Sequence, residues 1–282
     1  MAHIVNDQNL YKDIQLSAAK DEIVYLHGLG VIAADHGTPL FKPQEKLTRA
    51  DLAYWIGSFL HLMGDDRHVK PEDLAKEAVK QGYVSSLQGN ATYKDVNHAY
   101  FEGQLKVEQP DGELTREEFA LFVAKNRTQN VNGKTLYDIA EYEPGPAGIV
   151  EAVSVQEAKG AEGSTGKIYS LKVNGNRFVL SAHPNVLHGA VDPFTWEGKR
   201  ITESWLMKVD KGEQHIQLLT FAQNSTVSHS VKEQGTAGIQ ENHAVGVQAD
   251  SKTASPLILA VVGIFFVCLV FLLFVKKKRR NE

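Results

Sequence analysis

Two arginines in this sequence stand in nearly the same chemical setting. Arg49 follows Leu-Thr and precedes Ala-Asp, and Arg116 follows Leu-Thr and precedes Glu-Glu. A planar guanidinium can hold a carboxylate through two parallel hydrogen bonds. At the start of a helix, the free backbone N–H groups and the helix dipole also favour an anion. The chemistry that these residues could perform is therefore the binding of an anion.

The residues around both arginines predict amphipathic helices with well-marked starts. Thr48 and Thr115 are favourable N-caps, since a threonine oxygen can accept a hydrogen bond from a free backbone N–H of the first turn. Asp51 and Glu118 follow three residues later, where an acidic side chain completes a capping box. Apolar residues then recur at helical spacing in both stretches. The simplest interpretation of the two stretches is structural, but capping does not require an arginine.

The sequence upstream of these helices is also partly repeated. Residues 11–13 read Tyr-Lys-Asp and precede a predicted helix of about 18–29, which ends at glycines. Residues 93–95 read Tyr-Lys-Asp again, and 72–86 resembles a repeat's first helix with its Gly-Tyr-Val exit. Internal repetition of a helix–loop–helix unit indicates stacked units that share a core.

The order of these motifs resembles the S-layer homology (SLH) domain, a module that attaches bacterial surface proteins to cell-wall polysaccharide. Residues 10–62 match well, and their Thr-Arg-Ala-Asp stretch is close to the family's Thr-Arg-Ala-Glu signature. Residues 70–127 match as a degenerate second repeat, in which the helix after Asp95 is shortened. The family usually has three repeats around a pseudo-threefold axis, whereas two copies are recognised here.

The resemblance implies a non-catalytic cell-surface protein that binds a secondary cell-wall polysaccharide through acidic sugars, such as pyruvylated amino sugars. In the family the motif arginine helps to hold the acidic sugar, which makes Arg49 the stronger candidate and Arg116 the weaker one. Asp13 and Asp95 match the family's opening aspartate, which contacts the ligand or braces the site. The implied polymer-binding residues are Arg49, Arg116, Asp13, Asp95 and Thr48.

The alternative for the second copy is a solvated arginine on a repeat that serves only as scaffold. Exposed substitutions usually change stability little, so this alternative predicts an effect below about 0.5 kcal/mol for Arg116→Ala. The loss of the Thr115 cap should cost more, about 1 kcal/mol.

A long apolar run lies near the C-terminus. Residues 256–275 contain no charged side chain and are long enough to cross about 30 Å of hydrocarbon. The basic run 276–280 follows directly, and such residues stay on the cytoplasmic side of a membrane. With the resemblance, this predicts a single-pass protein in the plasma membrane of a Gram-positive-type bacterium. It would contact the lipid bilayer through 257–275, with its N-terminal part facing the wall and the tail 276–282 in the cytoplasm.

The first residues do not show the export signal that this topology requires. They contain neither a basic region nor an apolar run. We therefore expect a signal peptide ahead of this sequence or an earlier start. A tail-anchored protein with a cytosolic N-terminus is the alternative.

The charge of the chain limits its partners. It contains 30 basic and 34 acidic residues, so that without the five basic residues of the tail and Glu282 the counts are 25 and 33, a net charge of −8. An acidic ectodomain does not attract nucleic acid or another polyanion by bulk charge, and binding then depends on individually placed groups. The single cysteine, Cys268, excludes an intrachain disulfide.

Residues 131–222 differ in character from the repeats. Short runs with alternating apolar residues are separated by turn signals, such as 174–176 and 211–212. This pattern predicts an all-β domain, either a small barrel or a sandwich. Residues 223–255 are polar and lack periodicity, which predicts a flexible stalk. The predicted fold class is therefore α+β multidomain, with helical repeats over 1–127, the all-β domain, the stalk and one transmembrane helix.

The histidines are the remaining candidates for chemistry. His183, His188 and Asp192 lie close together, but their spacing matches no zinc signature, so we expect no metal and no cofactor. Outside the apolar run, no nucleophile elbow, phosphate loop or nucleophilic cysteine predicts an enzyme. Two alternatives stay open. One is a membrane-anchored protein that binds a ligand or metal in a polar, His-lined pocket of the β-domain. The other is a wall-polymer enzyme with two carboxylates about 5 to 10 Å apart.

Overall fold

The structure is a computed structural model that describes residues 3–33, 39–64, 69–159, 165–209 and 212–223. Within these ranges a helical N-terminal region is followed by a mixed sheet. The helices are α1 (Lys20–Gly28), α2 (Arg49–Phe59), α3 (Pro71–Lys80), α4 (Tyr93–Phe101), α5 (Arg116–Asn126) and α6 (Leu136–Ile139). The strands are β1 (Tyr142–Pro144), β2 (Gly148–Lys159), β3 (Thr165–Val173), β4 (Asn176–Leu187), β5 (Arg200–Lys208) and β6 (Gln214–Phe221), and a 3₁₀-helix (Pro193–Trp196) lies between β4 and β5.

Helices α2, α4 and α5 begin in the same way, and Thr135 caps the four-residue helix α6 in the same manner. The side chains of Thr48, Thr92 and Thr115 cap α2, α4 and α5, and each accepts a hydrogen bond from the backbone N–H three residues later. The starts of α2 and α5 can be recognised in the sequence, whereas that of α4, a third start, is difficult to recognise. The third reads Ala-Thr-Tyr-Lys-Asp, with tyrosine where the other two have arginine.

The segments that precede these three helices form a closed ring of backbone hydrogen bonds. Leu47 donates to the Leu114 carbonyl over 3.0 Å, Leu114 donates to Ala91 over 3.4 Å, and Ala91 donates to Leu47 over 2.8 Å. All three side chains are fully buried. The helix starts therefore surround one pseudo-threefold axis, although the unit that contains α5 has no first helix of its own between α4 and α5.

The capped start of α4 shows which residue of the first repeat corresponds to Asp95. Residues 93–95 look like a copy of residues 11–13, because both read Tyr-Lys-Asp. In the structure Asp95 is the third residue of α4 and completes a capping box with Thr92, whereas Asp13 precedes α1. Asp95 is therefore the counterpart of Asp51, and its equivalence with Asp13 is wrong. The helix after Asp95 is also not a shortened remnant, since α4 starts at the cap and continues to Phe101.

The first helices of the two recognised repeats, α1 and α3, end alike. Gly30 and Gly82 follow them with φ values of 82° and 86°, a left-handed conformation that glycine adopts without strain. The next residue, Val31 or Tyr83, then donates its backbone N–H back to the end of its helix. The predicted helix before Gly30 and the predicted helix-and-exit at 72–86 are confirmed.

Aromatic side chains fill the core between the helices. Trp55 of α2 lies nearly parallel to Phe41, with ring centroids 6.0 Å apart, and its ring centroid is 5.1 Å from that of Phe119 on α5. Tyr100 of α4 lies 5.8 Å from Phe119 and donates its hydroxyl to the Val31 carbonyl over 3.1 Å. Contacts of this kind hold the capped helices together.

The strands close into a small barrel. β2 pairs antiparallel with β3, β3 with β4, and β6 with β5, while β4 and β6 are parallel. β5 also pairs antiparallel with β2, which closes the ring, and β1 extends the sheet beside β5. Leu171, Trp196 and Ile216 are fully buried in the apolar cluster of the barrel. The middle region is thus a mixed sheet of six strands that closes into a barrel.

Helix α1 packs against β4 of the barrel. Asn185 of β4 is buried, and its Nδ2 donates to the Val24 carbonyl over 3.0 Å. A Cβ on Gly28 would lie only 2.7 Å from the Asn185 Cβ, so this contact requires glycine. Residues Met1–Thr226 form one compact unit. The domain boundary near 127–131 stays a prediction.

His27 of α1 makes this contact sensitive to pH. Burial lowers the pKa of its imidazole below the ordinary value, and a hydrogen bond with Asn185 opposes the shift to a smaller extent. The folded chain then binds fewer protons at this residue than the unfolded chain. We therefore expect the free energy of unfolding to fall as the pH drops below about 6.5. Urea denaturation at about pH 7.5 and at about pH 5.5 measures the free energy of unfolding at each pH. Its decrease between the two should be smaller for His27→Gln than for the native protein. An equal loss in both would contradict this assignment.

The described residues contain no helix that is both long and apolar enough to cross a membrane. The predicted span at 256–275 and the tail 276–282 lie outside the described residues. Apart from Gln223, so does the predicted stalk at 223–255.

Candidate functional site

The Arg49 guanidinium is held in place by the neighbouring repeat. Its Nε donates to Asp95 Oδ2 over 3.0 Å, and its Nη1 donates to the Gln88 carbonyl over 3.2 Å. The side chain is nevertheless 28% exposed. Within the described part of the chain, these bonds use two of the five N–H donors of the guanidinium, so donors remain for a ligand.

A cleft of about 430 Å³ opens beside this ion pair. Arg49 and Lys94 bring positive charge to it, and Asp95 and Asp111 bring negative charge. The His98 ring lies 2.9 Å, measured from Nε2, from the Gly82 carbonyl, which holds one wall of the cleft. The arrangement offers many hydrogen-bonding groups around one fixed guanidinium. The lining residues are Arg49, Gly82, Tyr83, Ser85, Thr92, Lys94, Asp95, His98 and Asp111.

Arg116 occupies a different environment. Its guanidinium carbon lies 5.0 Å from the Trp55 ring centroid and 5.5 Å from that of Phe41. Its side chain is only 13% exposed, and its Nη1 is 4.0 Å from Asp51 Oδ2. Its Nε is buried without a hydrogen-bond partner among the described residues. A solvated Arg116 is therefore wrong, because this side chain packs on aromatic rings.

Asp13 braces the loop beneath Arg116. Its two carboxylate oxygens accept hydrogen bonds from the backbone N–H groups of Phe41 and Lys42, over 2.8 and 2.7 Å. Lys42 has a φ of 61°, a conformation that a non-glycine residue adopts only with support. Asp13 thereby fixes the Phe41 ring against which the Arg116 guanidinium lies.

The first residues of α2 and α5 each face the third residue of another capped helix. The two pairs are Arg49 with Asp95 and Arg116 with Asp51. At the start of α4, burial raises the pKa of the Tyr93 phenol, and the negative charge of Glu118 raises it to a smaller extent. The repeated arginine therefore joins one repeat to a carboxylate of the next.

The predicted site residues fall into two groups. Arg49 and Asp95 meet at the cleft, whereas Asp13 lies with Arg116 on the Phe41 side. Thr48 contributes through its cap: it accepts from the Asp51 N–H over 3.0 Å and donates to the Asp51 carboxylate over 2.8 Å.

Sequence reasoning missed Tyr83, Lys94 and His98 as residues of the cleft. Lys94 and His98 belong to α4, whose start resembles residues 11–13 more than it resembles the other helix starts. The signal that could have located α4, and with it Lys94 and His98, is a threonine followed three residues later by an acidic residue. Thr92 and Asp95 repeat the spacing of Thr48 and Asp51.

The loop histidines are held in separate contacts. His188 Nε2 lies 2.8 Å from Asp21 Oδ2 on α1, and His188 Nδ1 lies 3.2 Å from the Phe221 carbonyl. The Asp192 carboxylate accepts from the Phe194 N–H and caps the 3₁₀-helix. No cluster of three or more metal-ligating side chains occurs in the ranges that the structure describes.

The capped repeats and their donor-lined cleft have the features of a binding module. Residues 10–53 match the S-layer homology domain family, which confirms the resemblance. Domains of this family are non-catalytic modules of cell-surface proteins and bind secondary cell-wall polymers. Asp13, Thr48 and Arg49 lie within the match, and Asp95 and Arg116 lie beyond it. No curated protein and no solved structure matches the chain.

The two residues at the start of α5 should make separable contributions to stability. Thr115→Ala should lower the free energy of unfolding by about 1 kcal/mol, because the Glu118 N–H loses its cap. Arg116→Ala should lower it by about 1 to 2 kcal/mol, because the side chain leaves the faces of Phe41 and Trp55. Arg116→Met keeps an apolar side chain there and should restore part of the loss. Urea denaturation measures all three variants. A change below about 0.5 kcal/mol for Arg116→Ala would favour the solvated arginine instead.

Proposed function

We propose that this chain binds an acidic cell-wall polysaccharide in the cleft at Arg49. The proposal rests on the position of the Arg49 guanidinium. Its Nε lies 3.0 Å from Asp95 Oδ2, and the side chain is still 28% exposed. A group that is fixed before the ligand arrives loses little conformational freedom on binding. The remaining N–H donors of a planar guanidinium suit the carboxylate of an acidic sugar.

Other residues of the cleft suit the neutral part of a sugar. Lys94 and His98 are exposed on the same helix, and Ser85 is exposed on the loop that follows α3. Their side chains can exchange hydrogen bonds with sugar hydroxyl groups. The half-buried Tyr83 offers an apolar ring beside them. Because the ectodomain is acidic overall, these placed groups supply the affinity and bulk attraction does not.

In this proposal Arg116, Asp13 and Thr48 support polymer binding indirectly. Asp13 braces Phe41, Arg116 packs on Phe41 and Trp55, and Thr48 caps the helix that carries Arg49. Asp95 has two roles, since it closes the cap of α4 and orients the Arg49 guanidinium.

A co-sedimentation assay tests the proposal. The full chain in mild detergent is mixed with purified cell walls, with walls stripped of their secondary polysaccharide, and with walls whose acidic substituents have been removed. We expect the protein to sediment with the intact walls and to stay in solution with both treated samples. Equal sedimentation with all three samples would reject the acidic polysaccharide as the ligand.

The second part of the proposal concerns the membrane. The uncharged run at 256–275 and the basic run that follows support a single-pass anchor in the plasma membrane, with the repeats facing the wall. A reporter fused after Glu282 should then be cytoplasmic, and one inserted near Gln240 should be external. Protease accessibility of the two reporters in intact cells measures this. Finding both on the same side of the membrane would rule out a spanning orientation.

A further inference from the structure

The barrel contains a second cavity, larger than the cleft at Arg49 and on a different part of the molecule. Its volume is about 550 Å³, within the range of sites that hold a small molecule. Residues of β3, β4, β5 and β6 line it, and no residue of the Arg49 cleft takes part.

The cavity exists because two strand pairings stop early. β3 pairs with β4 only from Ser170 to Val173, so the first half of β3 pairs in the described chain with β2 alone. β4 also leaves β6 between Leu180 and Asn185. The N-terminal segment holds the departing part of β4 instead, since His3 donates to the Ala182 carbonyl over 2.8 Å. The gap is therefore part of the barrel's architecture, because backbone hydrogen bonds hold the strands on both sides of it.

Most of the cavity surface is apolar. Ile168, Leu180, Met207 and Val209 line it together with the methyl group of Ala182. Ile168 is 39% exposed, although most isoleucines in a folded chain are buried. An apolar surface of this kind is covered when an apolar group enters the cavity.

A few polar groups interrupt this surface, and most of them are cations or hydrogen-bond donors. Lys167, His183 and His215 line the cavity. Ser181 lines it as well, and its buried hydroxyl has no hydrogen-bond partner among the described residues. Two acidic residues lie next to these groups: the Glu213 carboxylate is 3.6 Å from His215 Nε2, and Glu157 of β2 stands opposite Lys167 in the strand register.

We infer that this cavity binds a small amphipathic anion, with an apolar body and a carboxylate or phosphate group. The apolar body would cover Ile168, Leu180 and Met207, and the anionic group would meet Lys167 and the two imidazoles. A neutral sugar fits poorly, because it would have to give up hydroxyl hydration against an apolar surface. The inference does not depend on the polysaccharide proposal, since the two sites share no residue.

Photolabelling of the full chain tests this inference. The probe is a benzoate that carries a photoreactive diazirine, and labelled peptides are mapped by mass spectrometry. We expect labels to concentrate on the peptides that contain Gly166–Ile168 and Leu180–His183. Excess unreactive benzoate should suppress the labelling more strongly than the matching neutral benzyl alcohol does. Labels spread evenly over the chain, or equal competition by the alcohol, would overturn the inference.

Variants define the site further. Ala182→Trp fills the cavity from an exposed position and should reduce labelling about tenfold or more. Lys167→Ala should reduce it roughly two- to fivefold through the loss of one exposed charge. Lys172→Ala, on the same strand but outside the cavity, is the matched control and should leave labelling unchanged. If Ala182→Trp fails to fold, the two lysine variants still decide. Equal labelling of Lys167→Ala and Lys172→Ala would contradict an anion at this site.

Discussion

Arg49→Ala is expected to weaken binding to the cell-wall polysaccharide about ten- to a hundredfold. The loss of a charge-assisted hydrogen bond to a carboxylate costs about 1.5 to 3 kcal/mol, which corresponds to that range. The fold should stay intact, because Asp95 keeps its hydrogen bonds from the Thr92 N–H and hydroxyl over 2.9 and 3.0 Å. Isothermal titration of the full chain with released polysaccharide measures the change.

Two further variants separate charge from geometry. Arg49→Lys should recover only part of the affinity, because an ammonium keeps the charge but not the planar pair of donors. Arg177→Ala removes an exposed arginine of the barrel and should bind like the native protein. Full recovery by Arg49→Lys would show that the site uses a point charge and that the held guanidinium geometry is irrelevant.

Trp55→Ala is expected to lower the free energy of unfolding by about 3 to 5 kcal/mol, the usual cost of removing a large buried aromatic side chain. Trp55 is 2% exposed and contacts three structural features at once. It lies parallel to Phe41, packs against Phe119 of α5 and supports the Arg116 guanidinium. The substitution should therefore loosen the contact between α2 and α5, and not only create a cavity. Urea denaturation followed by circular dichroism measures the loss.

The matched control for Trp55 is Leu16→Ala, which removes a fully exposed apolar side chain. Its effect should stay within about 0.5 kcal/mol. Trp55→Phe retains a ring and should fall between the two. If Trp55→Ala costs less than about 1 kcal/mol, the aromatic cluster does not hold the repeats together.

The local features of the repeats could be predicted from the sequence because they depend on neighbouring residues. The caps at Thr48 and Thr115 and the glycine exit at Gly30 follow from bonds within one turn of chain. The third capped start at Thr92 escaped prediction because Tyr-Lys-Asp occurs twice with different structural roles. Spacing to the cap distinguishes the two roles, and residue identity alone does not.

The pairing of groups from different repeats could not be predicted. Arg49 meets Asp95, and Arg116 packs on Phe41, so both arginine contacts cross from one repeat to another, while Asp13 holds Phe41 from within its own repeat. Sequence repetition suggests instead that each copy holds its own arginine and aspartate. The burial of Arg116 depends likewise on Phe41 and Trp55, which only the folded core brings together.

The barrel was predictable only in outline. Alternating apolar residues and turn signals indicate strands, but they do not show that β4 and β6 run parallel. The departure of β4 from β6 after Leu180, which creates the barrel cavity, also depends on the pairing of the N-terminal segment with that strand. Such long-range pairings leave no local pattern in the sequence.

The most direct test of the proposed function combines the Arg49 variant with a change in the ligand. Affinities of the native protein and of Arg49→Ala are measured for intact polysaccharide and for polysaccharide stripped of its acidic groups. If Arg49 holds the acidic group, stripping the polymer lowers the native affinity about ten- to a hundredfold and leaves the affinity of the variant unchanged. If stripping weakens both proteins equally, or if both bind the intact polymer equally well, Arg49 does not bind the acidic sugar and serves only to join the repeats.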